Sequence, residues 1–154
     1  GHEDGFARDR LPAPEDWPAI ENLPSYPEWL NAAVELTDRM VERGFGDRTA
    51  LVGQGRRRTY KELADWSSRI AHALREDYGI RPGHRVLIRS GNNPAMVACW
   101  LGATKAGAVV VNTMPMLRAG ELSQIVDRAE IRVALCDTRL MDDLVACANG
   151  SAFL

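Results

Sequence analysis

The stretch Ser90-Gly91-Asn92-Asn93-Pro94 lies between two apolar runs, Val86–Ile88 and Met96–Leu101. A glycine turn leading from a strand into a helix is where many α/β proteins hold a phosphate, because the first amides of a helix have no partner within it. The known patterns for that chemistry are not met. A dinucleotide site needs G-x-G-x-x-G, whereas Gly91 stands alone, and a P-loop needs glycines followed by Lys-Ser/Thr. A corner explains every residue. Gly91 permits the bend, Asn93 caps the helix, and Pro94 fills the first helical position, where no amide bond is lost.

Other residues that could do chemistry are equally well explained by structure. Ser67, Ser68, Ser90 and Ser123 have no motif that would place a base beside them. Asp142 and Asp143 are consecutive on an expected helix and point in different directions, so joint acid/base work is not expected. Lys105 falls in the last turn of a helix, where it complements the dipole, and Gly107 is the expected left-handed cap. Arg56-Arg57-Arg58 could grip a phosphate, but charges also guard the exposed edge of a hairpin. His2, His72 and His84 offer no zinc spacing with Cys99, Cys136 or Cys147, so no metal site is expected. From the residues alone, no catalytic residue can be named and no active site is complete.

Composition bounds the rest. The chain has 154 residues, 45% hydrophobic and 26% charged, with a net charge of -2. That is enough for one globular unit with a real core, and the mixed charge excludes a dedicated nucleic-acid binder. An odd number of widely spaced cysteines, two of them in apolar runs, suits reduced thiols and a cytoplasmic location. No apolar run is long enough to cross a bilayer, the polar start is no signal peptide, and Gly1-His2 reads as the scar of a cleaved tag.

The elements that must position these residues can be read in order. Residues 1–28 carry Pro12, Pro14, Pro18, Pro24 and Pro27 and read as an extended arm, with Trp17 and Tyr26 as the side chains to pin it. Apolar spacing from Trp29 to Arg43 predicts one helix, ended by Gly44. Thr49–Val52 and Arg57–Tyr60 flank Gly53-Gln54-Gly55 as a hairpin. Thr59-Tyr60-Lys61-Glu62 is a capping box, and the helix behind it has a stripe of Leu63, Ser67, Ile70, Ala71, Leu74 and Tyr78, with His72 off it.

Beyond Pro82-Gly83 one rhythm takes over: strand Arg85–Arg89, helix Pro94–Ala106, strand Ala108–Asn112, helix Ala119–Arg128, strand Arg132–Cys136, and a helix from about Thr138 to Ala148. Short Val-rich strands alternating with helices predict an α/β fold, a parallel βαβαβ sheet flanked by helices, preceded by the N-terminal helix and the β-hairpin. The apolar helix Pro94–Ala106 is expected to be buried on several sides, so Trp100→Ala should cost about 3–5 kcal/mol. The expected organisation is an arm (1–28), an α/β unit (29–148) and a tail (149–154).

Taken in order, Thr59-Tyr60-Lys61-Glu62-Leu63, Gly79 to Val86, Asn93-Pro94, Lys105-Ala106-Gly107-Ala108 and Pro115 resemble the N-terminal part of AMP-forming acyl-CoA synthetases of the adenylate-forming superfamily. The T-Y-x-E-L and K-A-G stretches resemble its first two core motifs. Asn93–Leu101 and Thr113–Arg118 look most like the 2-aminobenzoate and benzoate CoA ligase branch. The resemblance implies a subdomain of a larger ligase fold. It also implies a parent enzyme that uses ATP, Mg²⁺ and coenzyme A to convert an aromatic carboxylate to its CoA thioester, with fatty-acid ligases and adenylation domains as relatives. The family's Ser/Thr/Gly-rich loop ending in Pro-Lys does not occur in these residues. A fragment without activity, binding no cofactor and prone to self-association, is therefore expected; a standalone α/β module is the other reading. The resemblance also implies that Arg118 is the nearest candidate for a coenzyme A phosphate contact. Met116 is the other residue that could hold that place, and solvation alone would equally account for an arginine at a helix start.

Overall fold

The computed structural model describes residues 2–19, 21 and 24–154. Its centre is a three-stranded parallel sheet with strand order β4-β3-β5, preceded by a separate antiparallel hairpin, β1-β2. The hairpin strands are β1 (Thr49–Gly53) and β2 (Arg56–Thr59), and Gln54 and Gly55 both take positive φ between them, as a tight hairpin turn requires. Arg56 and Arg57 are exposed at the tip, while the Arg58 guanidinium lies 4.4 Å from the centre of the Trp66 ring.

The expected single helix at Trp29–Arg43 is instead two short pieces, α1 (Ala32–Leu36) and α2 (Asp38–Met40), followed by a wide turn over Val41–Phe45. The break is at Thr37 (φ -129, ψ -73), whose buried hydroxyl lies 2.6 Å from the Ala33 carbonyl and 2.7 Å from the Asp38 carboxylate. A hydroxyl bonding back one turn competes with the backbone ladder. Apolar spacing is the same on both sides of Thr37 and does not reveal this break.

α3 (Tyr60–Glu76) begins with the expected capping box: Thr59 Oγ1 accepts from Glu62 N at 3.2 Å, and Glu62 accepts from Thr59 N at 2.8 Å. Leu63, Ala64, Ser67, Ala71 and Leu74 are buried along its inner stripe. Tyr78 does not continue that stripe. The helix has ended two residues earlier, and the ring is 64% exposed.

The sheet comprises β3 (Arg85–Arg89), β4 (Val109–Thr113) and β5 (Val133–Cys136), with β3 central and parallel to both neighbours. Side chains alternate across it. Val86 packs with Ala71, Leu74 and Ala103 of α3 and α4 (Pro94–Lys105) on one face. Leu87 packs with Leu122, Val126 and Leu144 of α5 (Ala119–Ala129) and α6 (Met141–Ala148) on the other. The result is three layers, with every residue of β3 buried.

α4 meets the sheet and α3 so closely that a Cβ on Gly102 would sit 2.6 Å from Ile70 Cγ2. Only Ala98, Leu101, Gly102 and Ala103 are fully buried on it. α4 is packed on several sides, as expected, against the sheet through Ala103 and against α1, α3 and β1 through Ala98 and Leu101; Trp100 is half-buried and Ala95 exposed. Gly107 takes φ +80 just after the helix, as expected of a left-handed cap.

Trp17 and Tyr26 do not pin the arm. They are 55% and 61% exposed, and the Trp17 indole donates only to Pro12 O within the arm. The anchor lies earlier. Glu3 N and Asp4 N both donate to Pro82 O, the Asp4 carboxylate pairs with Arg85, and the Phe6 ring stacks 4.2 Å from the same guanidinium.

Candidate functional site

Parallel strands point one way, so the loops that follow them gather at one rim of the sheet. β3 leads into α4 on one face, whereas its neighbour β5 leads towards α6 on the other. Where adjacent strands send their helices to opposite faces, the chain diverges and leaves a crevice. Here that crevice measures about 340 Å³ and is lined by Ser90, Asn93, Met96, Cys99, Cys136 and Asp137, among others. A second hollow of about 460 Å³ lies across the same turn, against Val52 and Gln54 of the hairpin.

The Ser90–Pro94 turn is built as a corner. Asn93 Oδ1 accepts from Met96 N at 2.9 Å, its amide donates to Ser90 Oγ at 3.1 Å, and Ser90 Oγ donates to the Gly91 carbonyl at 3.0 Å. Ser90 and Asn93 are therefore bonded to each other and to the turn's backbone, while Asn92 is exposed. The role expected for Gly91 is corrected: its φ lies outside the left-handed region and a Cβ would meet nothing within 4 Å, so no glycine is demanded there.

On the β5 side, Asp137 is held by Arg139 through two side-chain bonds, of 3.0 and 2.7 Å, and by the Arg139 amide at 3.0 Å. Those bonds pull the Asp137 carboxyl down to about 2, so it is ionised throughout the neutral range and no general acid. Burial raises the thiols of Cys99 and Cys136, the nearby Arg89 charge only partly opposing this for Cys136, which leaves them protonated and poor nucleophiles. No base is paired with any of the serines among the side-chain hydrogen bonds of the rim.

The β4 side is organised by a residue that sequence reasoning did not single out. Arg89, 1% exposed at the end of β3, donates to the carbonyls of Met114, Pro115, Leu117 and Leu140 at 3.1, 3.1, 2.8 and 3.3 Å. Its guanidinium also lies 3.8 Å from the Asp143 carboxylate. Asp143 in turn accepts from Ala119 N and pairs with Arg118 at 3.3 Å. Arg118 is 81% exposed, and its own amide donates to Glu121 at 2.9 Å, which caps α5. Asp142 faces solvent, away from this network, in line with the divergence expected of consecutive helical positions. The one available signal for Arg89 was an arginine closing an otherwise apolar strand.

Among the described residues, no group of three or more His, Cys, Asp or Glu side chains converges as a metal set would. No loop of the phosphate-binding kind is present in the sequence either. The residues present therefore do not fit ATP or Mg²⁺, and no chemical step is assigned to them.

The family model described as AMP-binding enzyme matches residues 38–152, most of the α/β unit just described. The chain belongs to this family. Among its curated relatives, a 3-hydroxybenzoate/4-hydroxybenzoate CoA ligase of Thauera aromatica is 31% identical over 112 residues, 73% of this chain and 21% of that protein. A 3-oxocholest-4-en-26-oate CoA ligase of Rhodococcus rhodochrous is 36% identical over 100 residues, 65% of this chain and 18% of that protein. Among solved structures, an anthranilate CoA ligase in complex with anthranoyl-AMP superposes with a TM-score of 0.77 at 22% identity, over 84% of this chain and 24% of that one, a likeness of fold. The chain thus spans about a fifth of the length of the curated relatives it matches. It corresponds to an N-terminal portion of such ligases, and no helix among its described residues is long and apolar enough to cross a membrane.

Proposed function

We propose that this chain is the N-terminal lobe of an ATP-dependent aryl-CoA ligase, with residues 29–148 forming the lobe and the 154 residues inactive on their own. The reaction of the parent is carboxylate plus ATP plus coenzyme A giving aryl-CoA, AMP and pyrophosphate, with benzoate or 2-aminobenzoate as the acid and Mg²⁺ accompanying the nucleotide. The observation that carries the reading is the family match over residues 38–152 together with 31% identity to a hydroxybenzoate ligase. The lack of a nucleotide loop in these residues, and of a serine paired with a base at the rim, is the reason for assigning no turnover to them alone.

Within this reading, Arg118 supplies a fixed positive charge for a coenzyme A phosphate. Its exposure and its place at the rim, on the loop following β4, support that role. The free thiols fit a cytoplasmic protein. Met114 and Met116, 60% and 80% exposed on the same loop, are apolar surface through which the isolated chain self-associates.

A second reading, an aliphatic or steroid acid ligase, is favoured by the 36% identity to the Rhodococcus relative. Assaying AMP release by the product of the complete reading frame, with aromatic and long-chain acids side by side, separates the two. Turnover of long-chain acids alone overturns the aryl assignment, and a reading frame that closes at Leu154 overturns the ligase reading itself.

A further inference from the structure

We infer that Arg89 is a positioning residue for coenzyme A: from inside the sheet it fixes the Met114–Arg118 loop and so sets where the Arg118 charge stands. The inference rests on the reading of Arg118 given above.

The geometry makes the case. A guanidinium offers five donors in a rigid plane, and four of the acceptors that Arg89 meets are main-chain carbonyls rather than carboxylates. Three of them, Met114, Pro115 and Leu117, belong to one short loop whose side chains are largely turned to solvent. Such a loop has little core of its own to order it, and its shape is held by hydrogen bonds from beneath. The same arginine reaches Asp143, and Asp143 holds both the first amide of α5 and the Arg118 guanidinium. The exposed charge is therefore tied to the buried one through a single carboxylate. With its net charge of -2, the chain has no general attraction for an anion, which makes the placing of individual cations decisive.

A structural role alone would make Arg89 matter to stability and to nothing else. A positioning role predicts a split between substrates. In the complete enzyme, Arg89→Lys keeps the charge but not the planar fork, and it should raise KM for coenzyme A about tenfold. The ATP–pyrophosphate exchange of the first half-reaction should stay within about twofold, since no nucleotide loop occurs in these residues. Tryptic cleavage after Arg118 should accelerate, while cleavage after Arg8 and Arg10 in the arm stays unchanged. Should Arg89→Lys fail to fold, Pro115→Gly loosens the same exposed loop with Arg89 intact and should raise KM for coenzyme A in the same direction. An unchanged KM for coenzyme A in whichever of these variants folds overturns the inference, as does an equal loss in both half-reactions. Arg118→Ala separates the two layers. If it leaves KM for coenzyme A untouched while the loop variants raise it, the role of Arg118 falls and that of Arg89 stands.

Discussion

Lys105 Nζ lies 2.6 Å from the Asp38 carboxylate, joining the end of α4 to α2. The same ammonium donates to Ala64 O at 3.2 Å and Ser68 Oγ at 2.9 Å on α3, and the Lys105 side chain is 7% exposed. The lysine stands in the last turn of α4, where it complements the dipole as the sequence predicts, and there it also clamps three helices. All three of its donors have partners, as a buried cation requires.

Lys105→Met keeps the stem and removes the ammonium. Asp38 is left without its partner but is 39% exposed on its side chain, so water takes up part of the charge. A loss of about 1–3 kcal/mol is expected, below the range for a fully buried pair. Urea unfolding followed by tryptophan fluorescence should show a lower midpoint at an unchanged slope. An unchanged midpoint would show that the clamp contributes nothing.

Acid should weaken the fold through three aspartates. Hydrogen bonds from Arg139 hold Asp137 down to about 2. For Asp38, burial pushes the carboxyl up, but the bonds from Lys105 and Thr37 outweigh it. Asp4 is lowered chiefly by the Phe6 amide, with burial opposing and Arg85 assisting. A folded state that holds these carboxyls below their ordinary 3.8 binds fewer protons than the unfolded chain, so their contribution is complete above about pH 4 and is lost as the pH falls towards 2. Unfolding midpoints should fall between pH 4 and 2, and less steeply in Lys105→Met, where Asp38 has lost its partner. Equal slopes for the two proteins would rule out the Asp38 contribution.

Gly102→Ala inserts a methyl where 2.6 Å separates it from Ile70 Cγ2. Alanine is the better helix former by about 1 kcal/mol, so a surface glycine would gain by the change. Here overpacking should outweigh that gain, with a net loss of about 1–2 kcal/mol. Adding Ile70→Ala, which removes Cγ2, should recover only part of the loss, because Ile70 Cβ at 2.7 Å and Ser67 O at 3.0 Å still crowd the new methyl. A thermal melt of Gly102→Ala at or above that of the parent would show that the helices simply move apart.

The repeating part of the fold was legible because each local signal agreed with the global one. Val-rich strands, the Thr59–Glu62 box and the Asn93-Pro94 start all specify elements that the structure contains, with ends shifted by a residue or two. What was not legible was long-range and polar. Arg85 and Arg89 close the two ends of β3, where nothing in the sequence marks them as buried, yet they are 6% and 1% exposed. Their partners lie far away in sequence, at Asp4, Ala129, Met114 to Leu117 and Leu140, and no periodicity reports such pairings. Trp100 fails in the opposite sense. Its apolar surroundings in sequence suggest full enclosure, but the ring is only half-buried against Ala33, Leu63, Ala98 and Leu101, so its removal should cost less than the roughly 3–5 kcal/mol typical of a core tryptophan.

Arg85 and Arg89 also give the sheet a foot and a rim. At the foot, the chain's own beginning is moored: Asp4 and Phe6 close over Arg85, and two amides are spent on Pro82. At the rim, the side chain of Arg89 is buried beneath a loop that still faces outward. A probe attached near residue 2 would therefore report on the mooring and stay silent about events at the rim. A probe on Met116, 80% exposed, would do the reverse.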